Sequence, residues 1–330
     1  MKQPWPSGKP FRILSIDGGG IKGLFAARLL SELEISLPRD KRLVDCFDMI
    51  VGTSTGGILA LGIGLEVPCS QIYNLYVSEG KIIFSSHGIP PWIRKPWQFT
   101  RRIFTHGYES APLERALRKV FGNQLFGESV LPLCVPAFEA RYGDPNIFKT
   151  PHHPDYYLDG SMPAIEVALA TSAAPTYFRP RVDGGYVLLD GGVLANNPAM
   201  VGIVDALACF DIAPKQIRLT SIGFGDKPYV IPRWKTLFGG MWLFRKISIG
   251  MMSIQSKNTM GQAKLLLGSE NILRIEPELG KNTIELDDYD KSMAVFPSQA
   301  IKQFSRHKKA INAFTATKLA KNRGARSWIK

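Results

Sequence analysis

The sequence predicts an α/β fold in which a central, mostly parallel sheet carries helices on its faces. Two observations predict it: two successive strand, glycine turn and helix units near the N-terminus, and further short apolar runs bounded by turn residues downstream. A third is size, since 330 residues with 45% hydrophobic content can bury a sizeable core in one decorated domain.

In chain order, Phe11 to Ile16 reads as a short buried strand. The glycine-rich turn after it opens a helix with Ala26, Leu29, Leu30, Leu33 and Leu37 on one face. A second apolar run, Cys46 to Val51, meets the turn Gly-Thr-Ser-Thr-Gly-Gly, after which Ile58 to Leu65 continues as helix. Leu131 to Ala137, Val187 to Leu189 and Leu219 to Gly223 are the other strand candidates. The segment GIPPWIRKPWQFTRRIF interleaves prolines, tryptophans and basic residues and predicts an inserted loop or lid at about 85–108. From Ile301 to Lys330 there are nine Lys or Arg and no acid, with Ile301, Phe304 and Ile311 on one predicted helical stripe, hence a basic amphipathic helix and a loose tail. The expected division is an N-terminal extension at 1–10, a core at 11–225 and a C-terminal part packed on it at 226–330.

The net charge of +13 favours polyanions such as nucleic acid, nucleotides or an acidic membrane leaflet, without choosing among them. Cys46, Cys69, Cys134 and Cys209 lie far apart with no CxxC pair, which suggests neither a zinc site nor a disulfide framework and fits a reducing cytoplasm. The opening MKQPWPSGKPF lacks a signal-like apolar run, and no stretch reaches the ~20 apolar residues of a membrane span, so any membrane contact is expected to be peripheral.

Two turns carry chemistry. Gly52-Thr53-Ser54-Thr55-Gly56 fits G-x-S-x-G, in which small neighbours let a serine occupy a sharp strand-to-helix turn; a merely structural glycine turn is the bland reading of the same residues. Asp17-Gly18-Gly19-Gly20-Ile21-Lys22-Gly23 offers unshielded backbone amides suited to an oxyanion. Gly18, Gly20 and Gly23 also satisfy G-x-G-x-x-G, which alone suggests a dinucleotide site, but where that fold needs an acidic residue after the next strand stands the Gly52 to Gly56 turn. No glycine-bounded loop ends in Lys-Ser or Lys-Thr, against a Walker A site. Of the five histidines, His307 lies in the basic run SRHKKA, and His87, His106, His152 and His153 have no pattern to orient a ring, so none is assigned.

These residues carry a resemblance. DGGGIKG, GTSTGG, TSAAPTYFRP from Thr171 to Pro180 and LLDGGVLANNP from Leu188 to Pro198 resemble, in order, the blocks of patatin-like phospholipases over about Phe11 to Gly225. The resemblance implies a three-layer α/β/α fold and a serine–aspartate dyad of Ser54 and Asp190 that hydrolyses lipid acyl esters through an acyl-enzyme. It places the oxyanion hole at Gly18, Gly19 and Gly20, supported by Lys22, Gly23, Gly52, Gly56, Gly191 and Gly192, and needs neither metal nor cofactor. Asp183-Gly184-Gly185 is a decoy, because the family's aspartate is followed by a motif like Asn196-Asn197-Pro198. Lys22 departs from the family's usual arginine and loses its planar fork. An ordinary aspartate titrates near ~3.9, so a dyad base must be made more basic by desolvation.

The opening block and the segment around Tyr73 to Phe84 resemble, more narrowly, the bacterial cyclic-nucleotide-activated branch, the CBASS effectors of anti-phage defence. That implies a cyclic dinucleotide activator and a phospholipid membrane surface as partners, with a cytoplasmic protein peripheral to the inner membrane, a homo-oligomer as a further option and no nucleic acid. Trp92, Trp97, Arg101 and Arg102, and Trp234, Trp242, Arg245 and Lys246, suit a lipid interface, or equally a core or subunit contact. The alternatives are a constitutive esterase or lipase of the same family and a nucleotide-binding protein without hydrolase activity.

Overall fold

A computed structural model describes residues 2–84, 108–225, 241–280 and 284–315, with the backbone alone over 241–249. The expected lid, with Trp92, Trp97, Arg101, Arg102, His87 and His106, lies outside the described residues, as do Trp234, the tail past 315 and the side chains of Trp242, Arg245 and Lys246.

β1 (Phe11–Ile16) is buried along its whole length, as a strand covered on both faces must be. It pairs in parallel with β2 (Met49–Gly52) and β7 (Ile217–Ile222). β2 pairs in parallel with β3 (Leu133–Glu139), and β7 with β8 (Ile272–Ile275). β4 (Asp144–Lys149), β5 (Arg181–Asp183) and β6 (Tyr186–Asp190) join antiparallel. The order is β5-β6-β3-β2-β1-β7-β8 with β4 on β3, so the parallel sheet expected from the sequence is parallel through its centre and mixed beyond β3. β4 (DPNIFK) and β5 (RVD) are short, half-exposed and carry no apolar run, which is why no pattern announced them.

Alternation along β1 sends Leu14 and Ile16 to one face and Phe11 and Ile13 to the other. The first face is covered by α1 (Gly23–Ser36), α2 (Thr55–Gly64), α3 (Cys69–Ile83), α4 (Ala111–Phe121), α5 (Ala164–Thr171) and the last described helix, here α9 (Tyr289–Thr315). The second is covered by α7 (Ala199–Cys209) and α8 (Met241–Leu267), while α6 (Gly192–Ala195) is a single turn between them and β6. Each fully buried Leu, Ile or Phe in these layers contributes roughly 1.5–3 kcal/mol. Because β8 extends the sheet and α9 packs on α1, with Phe25 and Phe296 edge to face at 6.2 Å, the division drawn at residue 225 does not break the fold.

In α9 the inward line is Phe296, Ala300, Phe304 and Ile311. Ile301 falls one residue, about 100°, off that line and is 43% exposed, so the expected stripe of Ile301, Phe304 and Ile311 is corrected at its first member. His152 also differs from expectation: its ring is oriented, Nδ1 on Thr150 Oγ1 at 2.9 Å and Nε2 on Asp205 Oδ2 at 2.7 Å. Lys149 lies 2.7 Å from the other Asp205 oxygen. Burial alone would raise the Asp205 carboxyl, but His152 and Lys149 outweigh it and hold it well below the usual carboxylate range. The cluster pins the loop after β4 to α7 within the second core.

One topological detail builds the site. β4 occupies one edge of β3 along Cys134 to Glu139. The other edge is shared end to end, by β2 against Leu133 and Cys134 and by antiparallel β6 against Ala137 to Glu139. Continuing the β2 register brings Ser54 level with Ala137, whose partner on β6 is Asp190. Two strands that meet head-on along one edge thus deliver their terminal residues to the same place.

Candidate active site

Ser54 stands between β2 and α2 with φ 55° and ψ −121°, a conformation costly for a residue with a side chain. The strain is held by tight packing: a Cβ on Gly52 would be driven into the Gly56 carbonyl oxygen, so the chain can fold back this sharply only without one. The Ser54 amide donates to Thr171 Oγ1 at 3.0 Å, and the Thr171 hydroxyl donates to the Pro136 carbonyl at 2.6 Å. Thr171, at the end of α5, therefore fixes the serine turn to β3. Thr171 and Ala173 also fix the aspartate turn, with Asp190 N–H donating to Ala173 O at 2.9 Å and Gly191 N–H to Thr171 O at 3.1 Å.

Asp190 is 5% exposed, and the Ser54 hydroxyl acts on its carboxyl to favour the charged form. Its Oδ1 accepts the Gly192 amide at 2.6 Å. Burial pushes its carboxyl up to about 6, against the Ser54 and Gly192 hydrogen bonds that favour the charged form. The desolvation that a serine–aspartate pair requires is therefore built into the fold.

The glycine loop reaches this pair from the end of β1. Gly20 has φ +57°, and a Cβ there would meet the Leu286 carbonyl at 2.5 Å. Among the described residues the amides of Gly19 and Gly20 have no hydrogen-bond partner. Gly18 corrects the expectation of three equivalent donors: its amide is committed to the Asn196 carbonyl at 2.8 Å, so it ties the loop to the aspartate turn rather than facing a ligand. Lys22 is buried, and Gly23 and Gly56 are closely packed on Thr55 and on the Ile16 carbonyl. Asp183-Gly184-Gly185, by contrast, forms the tight hairpin between β5 and β6, both glycines at positive φ.

Asn196 and Asn197 are structural links. Asn196 N–H donates to Gln255 Oε1 at 2.7 Å, and the Gln255 amide returns a hydrogen bond to the Leu194 carbonyl. Asn197 Nδ2 donates to Ser256 Oγ at 3.1 Å, and Ser256 Oγ reaches Asp17 Oδ2 at 3.3 Å. Asp17 is gripped by Arg274 of β8, through Nη1 at 2.9 Å and Nη2 at 2.5 Å, while Arg274 also donates to Ser221 and Glu276. Gln255, Ser256 and Arg274 carry no local motif, since their roles are set by contacts across the fold. Thr171 opens a block quoted for its resemblance, but its role is set by a contact across 117 residues.

Thr171→Val keeps the shape and leaves the buried Ser54 amide and Pro136 carbonyl unpaired, at roughly 1–3 kcal/mol each. A melting temperature several degrees lower and slower ester turnover are expected, with Thr171→Ser restoring both. Valine behaving as the parent in both assays would remove Thr171 from the site.

Residues 14–203 match a family model described as patatin-like phospholipase. A "cGAMP-activated phospholipase" of Escherichia coli is 34% identical over 233 residues, 66% of this chain and 63% of that protein. One of Pseudomonas aeruginosa is 36% identical over 216 residues, 64% of this chain and 62% of that protein. Patatin-T5 of Solanum tuberosum is 30% identical over 329 residues, 85% of this chain and 80% of that protein. The chain thus spans a little under two thirds of the length of the two bacterial relatives.

Proposed function

The chain belongs to the patatin-like phospholipase family, and from that premise we propose that it hydrolyses acyl esters of membrane glycerophospholipids with Ser54 as nucleophile and Asp190 as general base. The observation that carries the reading is the register that brings Ser54, at a turn strained to φ 55°, level with Asp190, whose carboxyl burial raises to about 6. Asp190 accepts the Ser54 proton as the hydroxyl attacks the ester carbonyl, and the carbonyl oxygen becomes an oxyanion facing the amides of Gly19 and Gly20. The tetrahedral species collapses to an acyl-serine, and Asp190 returns the proton to the departing lysophospholipid alcohol. Water, deprotonated by the same carboxylate, then attacks the acyl-serine and releases the fatty acid, and Asp190 returns the proton to the Ser54 oxygen. Removing one oxyanion donor typically costs about 3 kcal/mol of transition-state stabilisation, so the glycine loop ranks with the base in importance.

The relatives named for activation by cGAMP support a finer reading, in which a cyclic dinucleotide switches this activity on and the protein acts peripherally at a membrane. No described helix is long and apolar enough to cross a membrane. Mass spectrometry of products from defined phospholipids, with and without cGAMP, tests substrate and activator together, alongside labelling by a fluorophosphonate. Labelling of Ser54 with lysophospholipid release only when cGAMP is present is expected. Equal release with and without nucleotide points to a constitutive lipase, and no labelling at all defeats the hydrolase reading.

A further inference from the structure

α8 has two faces that do different things. The inner face carries Ser256, which holds Asp17, and below it Met260, Ala263 and Leu267 enter the second core, while Gln255, half-buried on the flank beside Met251, holds the Asn196 turn. On the opposite side Met251 is 58% exposed, Ile254 53% and Leu265 91%, with Asn258 between them at helical spacing. Val193, 45% exposed, lies on α6, and the Cβ of a residue at Gly192 would sit 3.5 Å from the Met252 methyl, so α6 and α8 adjoin beside the aspartate. Large apolar side chains left in water in a row are not needed for the core, and here they flank a candidate active site.

The charge pattern says what such a row faces. The 27 residues of α8 include four Lys or Arg and no acid, and Lys257 and Lys264, both exposed, run one heptad apart along the flank of the apolar row. Two copies of this helix face to face would bring like charges together, whereas an anionic bilayer satisfies both the apolar row and its basic flank.

We propose that the outer face of α8, with Met251, Ile254 and Leu265 flanked by Lys257 and Lys264, is the surface through which the protein docks on an anionic phospholipid bilayer. The inference rests on the phospholipase reading, because a bilayer is where such an enzyme finds its substrate. It adds a placement: the docking face lies on the same helix as Gln255 and Ser256, which hold the loops of Asp190 and Asp17.

Flotation of the full chain with vesicles tests it. Ser54→Ala serves as background so that lipid is not consumed, and phosphatidylglycerol–phosphatidylethanolamine vesicles are compared with phosphatidylcholine ones. Adding Met251→Ser and Ile254→Ser removes apolar area that would enter the lipid, and the vesicle-bound to free ratio is expected to fall about tenfold or more on the anionic vesicles. Adding Asn258→Trp to the same background is expected to raise that ratio, and this gain does not depend on any loss of folding. Equal ratios for all three proteins overturn the proposal. So does a dimer of the parent that the serine substitutions dissociate in size-exclusion chromatography, since the face would then be a subunit contact. Fluorophosphonate labelling of the wild type in the presence of cGAMP reports separately on the enzyme: labelled protein with unchanged flotation sinks this surface alone, and unlabelled protein sinks the phospholipase reading.

Discussion

Asp190→Asn is expected to lower ester turnover by about 10²–10⁴-fold while leaving the protein more stable at neutral pH than the parent. Asparagine keeps an oxygen to accept the Gly192 amide but cannot take the Ser54 proton. The stability gain follows from the carboxyl's environment. Its ordinary value of 3.8 is raised to about 6 in the fold by burial, so between those pH values the folded protein binds more protons than the unfolded chain. Stability from this group therefore falls as pH rises through that window, and above it the buried charge costs on the order of 3 kcal/mol, which the uncharged amide avoids. The same group sets the pH profile: kcat/KM of the parent should rise tenfold per unit up to about pH 6 and then level, because only the ionised carboxylate accepts a proton. Thermal melts and rate profiles across pH 4 to 8 check both parts. A variant that is slower and also less stable at pH 7 contradicts this account of the base.

Ser54 stood out as a candidate because its turn demands particular small residues and leaves a local mark, whereas Asp190 was singled out by the resemblance, since Asp183 heads the same Asp-Gly-Gly. The central parallel strands were readable for a similar reason, since burial on both faces forces a continuous apolar run, as in Phe11–Ile16. What joins the two turns left no such mark. The sharing of one β3 edge by β2 and β6 depends on register across the sheet, and Thr171 acts through a contact spanning 117 residues. Gly18 shows a further limit: a glycine triplet advertises free amides, but which amide is already taken is decided by Asn196, far along the chain. Ile301 misled because three apolar residues near helical spacing define a stripe only when a neighbouring element fixes its centre, and here Phe296 and Ala300 fix it elsewhere.

The second large effect is expected at Arg274, which no motif points to. Asp17 is 3% exposed at the head of the glycine loop, and both its oxygens are held by this one guanidinium. Arg274 is itself half-buried, and although burial opposes its charge, Asp17 and Glu276 keep it protonated. Removing one partner of such a pair leaves the other buried and uncompensated, which typically costs about 3–5 kcal/mol. Arg274→Met should therefore lower the melting temperature by roughly 6–20 °C and slow the ester reaction further than the stability loss explains. The reason lies in what Asp17 holds: through Ser256 it is linked to Asn197, so releasing it loosens the glycine loop and the Asp190 turn together. Asp17→Asn combined with Arg274→Met removes both charges and should recover most of the stability, since neither group is then left unpaired. Turnover should recover less, because asparagine and methionine cannot restore the bidentate grip that sets where Gly19 and Gly20 point. A double variant no more stable than Arg274→Met would mean that the arginine acts through Ser221 or Glu276 and that the loop is positioned by other contacts.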